Sequence, residues 1–323
     1  MSHRDQKVSQ GHNGRTLYVV AVISNPVRYD SRIRLYEEFA ARMAEHENVK
    51  LITVEHAFGD RPFDVTDMNN PDHVQLRGGP EYELWLKEPM MNRGFQHLYE
   101  KYPDWKYAAW IDADVEFSRP DWAEETIEAL QHYKVVQPWS HSLDLGPNHE
   151  LVGKPARSFL SCYVEGVPPM SQYGGEYWHA GYAWAIRRDA MDGIKKFIDW
   201  CPMGAGDHHM AWAFVGDIWS GVHGQMGIGY RTKAAEFQAL CDTHIQKDVG
   251  YVPGTLMHHW HGSKKKRYYV ERWATLVETK FDPRTDIAFD KDGMPFLVGN
   301  KPELRDALRK YFRSRNEDGI DLD

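Results

Sequence analysis

Asp112 and Asp114 stand two residues apart in Trp110-Ile111-Asp112-Ala113-Asp114-Val115, where an apolar run ends. Carboxylate oxygens at that spacing suit Mg²⁺ or Mn²⁺, and such a cation neutralises a diphosphate. A D-x-D pair also occurs in solvated turns and helix caps. Here no helix start follows until about Asp121, which favours a ligand role. A second set of candidate ligands is His258-His259-Trp260-His261, followed by Gly262, Ser263, Lys264, Lys265, Lys266 and Arg267. On an extended segment His259 and His261 share one side and His258 takes the other. In a turn His258 and His261 converge instead. The Lys/Arg run is a solvated face unless it lies beside a metal, where it can hold phosphates. A third block, Gly204-Ala205-Gly206-Asp207-His208-His209, puts a carboxylate where a helix opens. A helix N-terminus favours the ionised form, which can accept a proton from a hydroxyl within hydrogen-bond reach. A simple N-cap is the plainer reading of Asp207.

These residues need a scaffold, and the first half of the chain predicts one. Leu17 to Ser24 (LYVVAVIS) is a near-continuous apolar run, as in a buried parallel strand. A helix is expected over Ser31 to His46, a strand over Val49 to Glu55, and a polar loop over 59–72. Glu88-Pro89 opens a helix to about Tyr102, and Tyr107 to Asp112 is the next strand. Asp121 with Glu124 has capping-box spacing for a helix to about Tyr133, followed by a strand over Lys134 to Trp139. This alternation predicts an α/β fold with a mostly parallel sheet flanked by helices. In such sheets ligands sit beyond the carboxyl ends of the strands, which makes Ser24, Asn25 and Arg28 of the first βα loop candidates for nucleotide contacts. The second half reads as less regular. A strand is expected over Gly181 to Arg187, a short helix over Asp207 to Val215, and an extended segment over Val249 to Trp260. Helices are expected over Lys265 to Lys280 and Pro302 to Arg315.

Four segments follow: a disordered N-terminus at 1–15, a nucleotide-binding half at 16–145, an acceptor-side half at 146–315 and a flexible acidic tail at 316–323. A net charge of −8 argues against a general polyanion-binding surface, though it leaves room for a local basic patch. Three widely spaced cysteines, Cys162, Cys201 and Cys241, give neither a disulfide framework nor a zinc pattern, so a reducing compartment is expected. The polar start has no apolar h-region, and no apolar run approaches the ~18 residues of a membrane span.

The order of the blocks carries a resemblance. A D-x-D, then a Gly-rich block with a carboxylate, then a His-containing segment resembles the inverting GT-A glycosyltransferases. The nearest resemblance is to the β-1,4-galactosyltransferase and polypeptide N-acetylgalactosaminyltransferase superfamily, and to glycosyltransferase-like proteins of bacteria and phages. Lys87 to Gly94 is similar to the segment in which a basic residue and an Asn-x-Gly helix precede the D-x-D, which points to Lys87 and Asn92 as donor contacts. Tyr173-Gly174-Gly175 and Gly204 to His209 are similar to the galactosyltransferase stretch that ends in Trp-Gly-Gly-Glu-Asp-Asp. The resemblance implies a GT-A fold, a nucleotide-sugar donor with uridine the expected nucleoside, and Mn²⁺ or Mg²⁺. It implies Asp207 as inverting base, with Asp114 and His261, and also His258, on the metal. Asp112 would hold the donor ribose or reach the metal through water. Gly206 replaces the family's Glu, and His208-His209 replace its usual acidic residues.

The expected acceptor is a hydroxymethylated base in DNA, with a glycan next, and the expected location is a bacterial or phage-infected cytoplasm with no membrane partner. The basic run 264–267 with Arg272 motivates the DNA expectation. A sugar nucleotidyltransferase is the rival enzyme, but Ser24-Asn25-Pro26-Val27-Arg28 lacks the Gly-rich phosphate loop that such enzymes carry. A non-catalytic carbohydrate- or nucleic-acid-binding module is the third reading.

Overall fold

In a computed structural model describing residues 15–171, 175–267 and 271–322, strands β1 (Leu17–Ser24), β2 (Val49–Phe58), β3 (His73–Gly78) and β4 (Tyr107–Ile111) are four of the strands of a seven-stranded sheet. Further strands are β5 (Val115–Phe117), β6 (Val135–Gln137), β7 (His141–Leu145), β8 (Leu151–Ser158), β9 (Trp178–His179), β10 (Ala183–Arg187), β11 (Val249–Tyr251) and β12 (Thr255–His258). Helices are α1 (Asp30–Ala44), α2 (Lys87–Lys101), α3 (Trp122–His132), α4 (Phe159–Val164), α5 (Arg188–Ile194), α6 (Gly206–Phe214), α7 (Ile228–His244), α8 (Glu271–Glu278) and α9 (Pro302–Ser314).

The main sheet runs β11-β6-β10-β4-β1-β2-β3. Only its β10 pairs antiparallel with its neighbours, so the expected mostly parallel α/β sheet flanked by helices is met. The period-two geometry of β1 divides the core. Leu17, Val19 and Ala21 join Phe39, Met43 and Trp122 on one face, while Tyr18 and Val20 join Met90, Met91 and Phe95 on the other. That explains why β1 reads as one unbroken apolar run. Gly94 lets α2 lie close on this sheet, since a Cβ there would come 2.5 Å from Val20 Cγ1.

Strand order reverses beside β1, whose chain neighbour β2 lies on one side and β4 on the other. The loops after β1 and β4 open at that switch point, so the D-x-D and the Ser24–Arg28 loop share the crevice where such sheets bind ligands. A second sheet, β5-β12-β7-β8-β9, starts immediately after Asp114.

Several local expectations are corrected. Val249 to Trp260 is not one extended segment: β11 closes the main sheet, and after Pro253-Gly254 β12 enters the second. Within the helix expected over Lys265 to Lys280, Lys264–Arg267 forms a single 3-10 turn and Glu271–Glu278 is α-helical, with 268–270 outside the described residues. Asp121 makes no capping bond, because Arg119 holds its carboxylate at 2.7 and 2.8 Å. The less regular half also contains the 17-residue helix α7, which the sequence reading passed over. Residues 1–14, together with Tyr173 and Gly174, lie outside the described residues.

The segment expected to be a flexible tail is anchored over 316–319. Glu317 is 1% exposed, and Asp318 accepts hydrogen bonds from the Asp30 and Ser31 backbone N–H groups at 3.0 and 2.8 Å. Its acidic residues cap α1 and pair with Arg32 and the buried Arg315, which composition alone does not reveal.

Candidate functional site

Strand register builds the ligand cluster. β12 lies between β5 and β7, so His258 sits opposite Val115 on one side and Asp144 on the other. Asp114 immediately precedes Val115, and its carbonyl accepts from the His259 N–H at 2.8 Å. The chain then turns through Gly262, whose φ of 85° is left-handed. The turn swings His261 back, so that its Nε2 lies 2.8 Å from Asp114 Oδ2 and 3.2 Å from His258 Nε2. Asp114, His258 and His261 offer ligand atoms all within 4.8 Å of one another. His259 turns away and meets Glu116 at 3.1 Å. Of the two arrangements open to the sequence, the turn is the one observed.

Three features of this cluster suit a cation. Asp114 Oδ1 is buried with no partner among the described residues, which is costly for a carboxylate oxygen. His261 Nε2 is crowded by Asp114 Oδ2, His258 Nε2 and Arg267 Nη2, the last at 3.0 Å, and a nitrogen that donates to Asp114 cannot also accept from Arg267. Burial pushes His258 down to about 4, so its ring is neutral and able to ligate, while Asp144 holds Nδ1 at 2.9 Å. Burial would raise Asp114, yet the contact with His261 and the charge of Arg267 outweigh it and keep the carboxyl below the usual range.

Asp112 faces a different partner. Lys87 Nζ, at the start of α2, lies 2.5 Å from its Oδ1, and the Asp112 N–H donates to Tyr182 O at 2.7 Å. Asp112 is therefore beside the three-ligand cluster but outside it. Lys87 is buried among Asp112, Asp207 and Glu88, which outweigh desolvation and raise its pKa. Asp207 opens α6 behind Ala205, a non-glycine residue at φ 76°. Tyr182, beside the D-x-D, also has φ 76°. Left-handed backbone at two such positions costs on the order of 1 kcal/mol or more each, and strain of this kind clusters at working sites.

The other sequence candidates separate. Asn92 spends its side chain on the Phe197 backbone, donating at 3.1 Å and accepting at 2.8 Å. Asn25 does the same with Tyr29, at 2.8 and 2.9 Å. Both carboxamides hold local backbone, and Asn25 also lines the small pocket at the ends of β1 and β2. Ser24 gives its carbonyl to Arg32 Nη1 at 2.5 Å. Arg28 is exposed and lines a small pocket with Ile23, His56 and Arg61 at the ends of β1 and β2.

No protein-family model matches the chain, and no curated protein sequence matches it. Solved structures with some similarity include glucosyl-3-phosphoglycerate synthase from Mycobacterium tuberculosis, in complex with Mg²⁺ and uridine diphosphate. It is 13% identical, with 83% of this chain and 77% of that chain covered, at a TM-score of 0.36. Another is 4-diphosphocytidyl-2C-methyl-D-erythritol synthase from Anaerococcus prevotii, 12% identical over 75% and 90%, TM-score 0.32. A third is a glycosyltransferase involved in glycosylation of the major capsid of PBCV-1, 9% identical over 91% and 99%, TM-score 0.29. Likeness this slight assigns no activity, which has to come from the site.

Sequence reasoning missed Glu88, a buried carboxyl at the floor of the site. Gly206 makes room for it: a Cβ at that position would lie 2.6 Å from Glu88 Cδ. Burial, opposed by Lys87, pushes Glu88 from 4.5 up to about 7. Between those values the folded protein holds a proton that the unfolded chain has released, so stability falls as pH rises through the window. By about pH 8 the loss is about 3 kcal/mol. Glu88→Gln is expected to recover up to that amount at about pH 8 and to be near neutral at about pH 4. Urea denaturation at both values measures it, and an effect independent of pH would contradict the buried-carboxyl account.

Proposed function

We propose that this chain is a divalent-metal-dependent, inverting glycosyltransferase of GT-A type with a uridine-diphosphate sugar as donor. The convergence of Asp114, His258 and His261 at the switch point of the sheet carries the reading. Two imidazoles with one carboxylate favour Mn²⁺ over Mg²⁺, which prefers all-oxygen ligation. Such an ion neutralises the diphosphate as it leaves. Asp112 and Lys87 would meet the donor's ribose and phosphates, and Arg28 its nucleoside side. Asp207 would take the proton from the acceptor hydroxyl as its oxygen attacks the sugar's anomeric carbon from the face opposite the diphosphate.

The acceptor favoured by these surroundings is a glycan, not a DNA base. The basic run is occupied near the metal ligands: Lys264 Nζ meets Asp144 at 2.5 Å, and Arg267 is buried against His261. That suits a donor diphosphate better than a DNA backbone. Near Asp207 lies His179, stacked on Tyr182 at 4.0 Å, an aromatic edge beside which a sugar ring can sit.

The test is uridine diphosphate release from a panel of UDP-sugars with Mn²⁺, with and without oligosaccharide. We expect slow release alone, acceleration by an oligosaccharide acceptor, and loss of both in excess chelator. Sugar transfer to DNA carrying hydroxymethylcytosine or hydroxymethyluracil would restore the DNA acceptor. Absence of release under every condition, with nucleotide sugars still bound, would indicate a binding module.

A further inference from the structure

The segment after α9 reaches the metal cluster from behind. Gly262, in the turn between His261 and the basic run, has no Cβ where Asn316 O and Glu317 Cα approach to 2.8 and 2.9 Å of the atom's would-be position. Trp260 Nε1 donates to Gly319 O at 2.7 Å, and the Asn316 N–H donates to Tyr29 Oη at 3.0 Å. This packing buries Glu317 in a charged group. Its carboxylate takes two bonds from Arg32, Nε at 2.5 Å and Nη2 at 2.8 Å, and one from Arg315 Nε at 2.5 Å. The same Arg32 donates to the carbonyl of Ser24, the last residue of β1. On its remaining side Glu317 Oε2 lies 3.8 Å from His261 Nδ1, an ionic contact longer than a hydrogen bond.

We propose that Glu317 is a positioning residue for the metal site, orienting His261 through Nδ1 and tying that ligand to the donor loop through Arg32. The inference rests on the metal-dependent function proposed above. A His that offers Nε2 to a metal carries its proton on Nδ1, and that proton needs an acceptor. Glu317 is the carboxylate facing it, and a shift of about 1 Å brings the pair into hydrogen-bond range. A clasp needed only to hold the segment down would work with apolar contacts at less desolvation cost. A carboxylate held between two arginines gives His261 a fixed, ionised acceptor instead.

Mn²⁺ affinity by calorimetry on the full chain tests this with Glu317→Gln, which keeps size and loses charge. Asp318→Ala serves as control, because it removes the clamp on α1 without touching His261. We expect Glu317→Gln to weaken Mn²⁺ binding on the order of 10-fold or more. Asp318→Ala should lower the thermal midpoint and leave Mn²⁺ affinity unchanged. Wild-type affinity in a folded Glu317→Gln protein would overturn the proposal. A measurement on the unmutated chain decides the case even where that variant does not fold. With ¹⁵N-labelled histidine and Zn²⁺, a diamagnetic ion that takes imidazole ligands, His261, assigned by its loss in His261→Gln, should show a downfield Nδ1 proton. A proton on Nε2 would overturn the proposal as well. An unmutated chain that binds no divalent cation would sink the metal-dependent function itself. Metal binding indifferent to Glu317 would sink only this inference.

Discussion

Asp114→Ala should reduce sugar transfer to background and abolish tight Mn²⁺ binding. The side chain supplies the one carboxylate of the three-residue cluster, and its Oδ1 is the buried oxygen left without a partner. Removing it leaves two imidazoles beside the Arg267 guanidinium with no carboxylate to offset it, an arrangement that repels a cation. The diphosphate then has no divalent counter-charge as it leaves, and that stabilisation is worth several kcal/mol. His258→Ala and His261→Ala should act in the same direction with smaller effect, each removing one imidazole while the carboxylate stays. Calorimetric titration with Mn²⁺ and turnover at saturating donor measure the two consequences separately. Full activity of Asp114→Ala, or of the unmutated chain in excess chelator, would end the metal assignment.

What the sequence could and could not yield follows from how far apart the contacting residues lie. β1 and β4 were readable because both faces are buried, so nearly every residue is apolar. Asp112 and Asp114 followed from the end of that run. The pairing of His258 with His261 needed only a local turn, and Gly262 was its signal. Glu317 could not be found this way: the partner that ties it to the first strand, Arg32, is 285 residues away, and an acidic stretch near the end of a chain looks solvated by composition. Asp144 was hidden for a similar reason. It acts on His258 only because β12 enters the second sheet between β5 and β7, a register that no local pattern encodes. Glu88 looked like a first-turn helix acid, and its burial depends on Gly206 approaching from α6. Conversely Asn25 and Asn92 looked like polar loop and helix residues free for a ligand, whereas each is consumed by one backbone segment. Helix α7 could have been read, since Tyr230, Ala234, Phe237 and Cys241 recur at helical spacing and are all buried.

Asp207→Asn should cut turnover on the order of 10²-fold or more while leaving donor and metal binding near normal. The substitution keeps the local geometry. Asp207 Oδ1 accepts from the His208 N–H at 2.7 Å, and an Asn oxygen can do the same. What is lost is the capacity to take a proton from the acceptor hydroxyl. The position fits that role: Asp207 is half-buried at the N-terminal end of α6, and its Oδ2 lies beside Gly181 and His179 at the mouth of the site. It shares the field of Lys87 with Asp112, so the base and the donor contacts form one charged group. Glu88 lies in the same group and is the rival base. The two are separated by their pH profiles. If Asp207 is the base, Glu88→Gln retains much of its turnover and Asp207→Asn loses it at every pH. If Glu88 is the base, its substitution removes the activity along with an ionisation at about 7. The product decides the stereochemistry. A base on the acceptor side with no covalent intermediate gives the anomer opposite to that of the donor, and NMR of fresh product resolves it. Retention would remove Asp207 from the role of inverting base while leaving the metal cluster untouched.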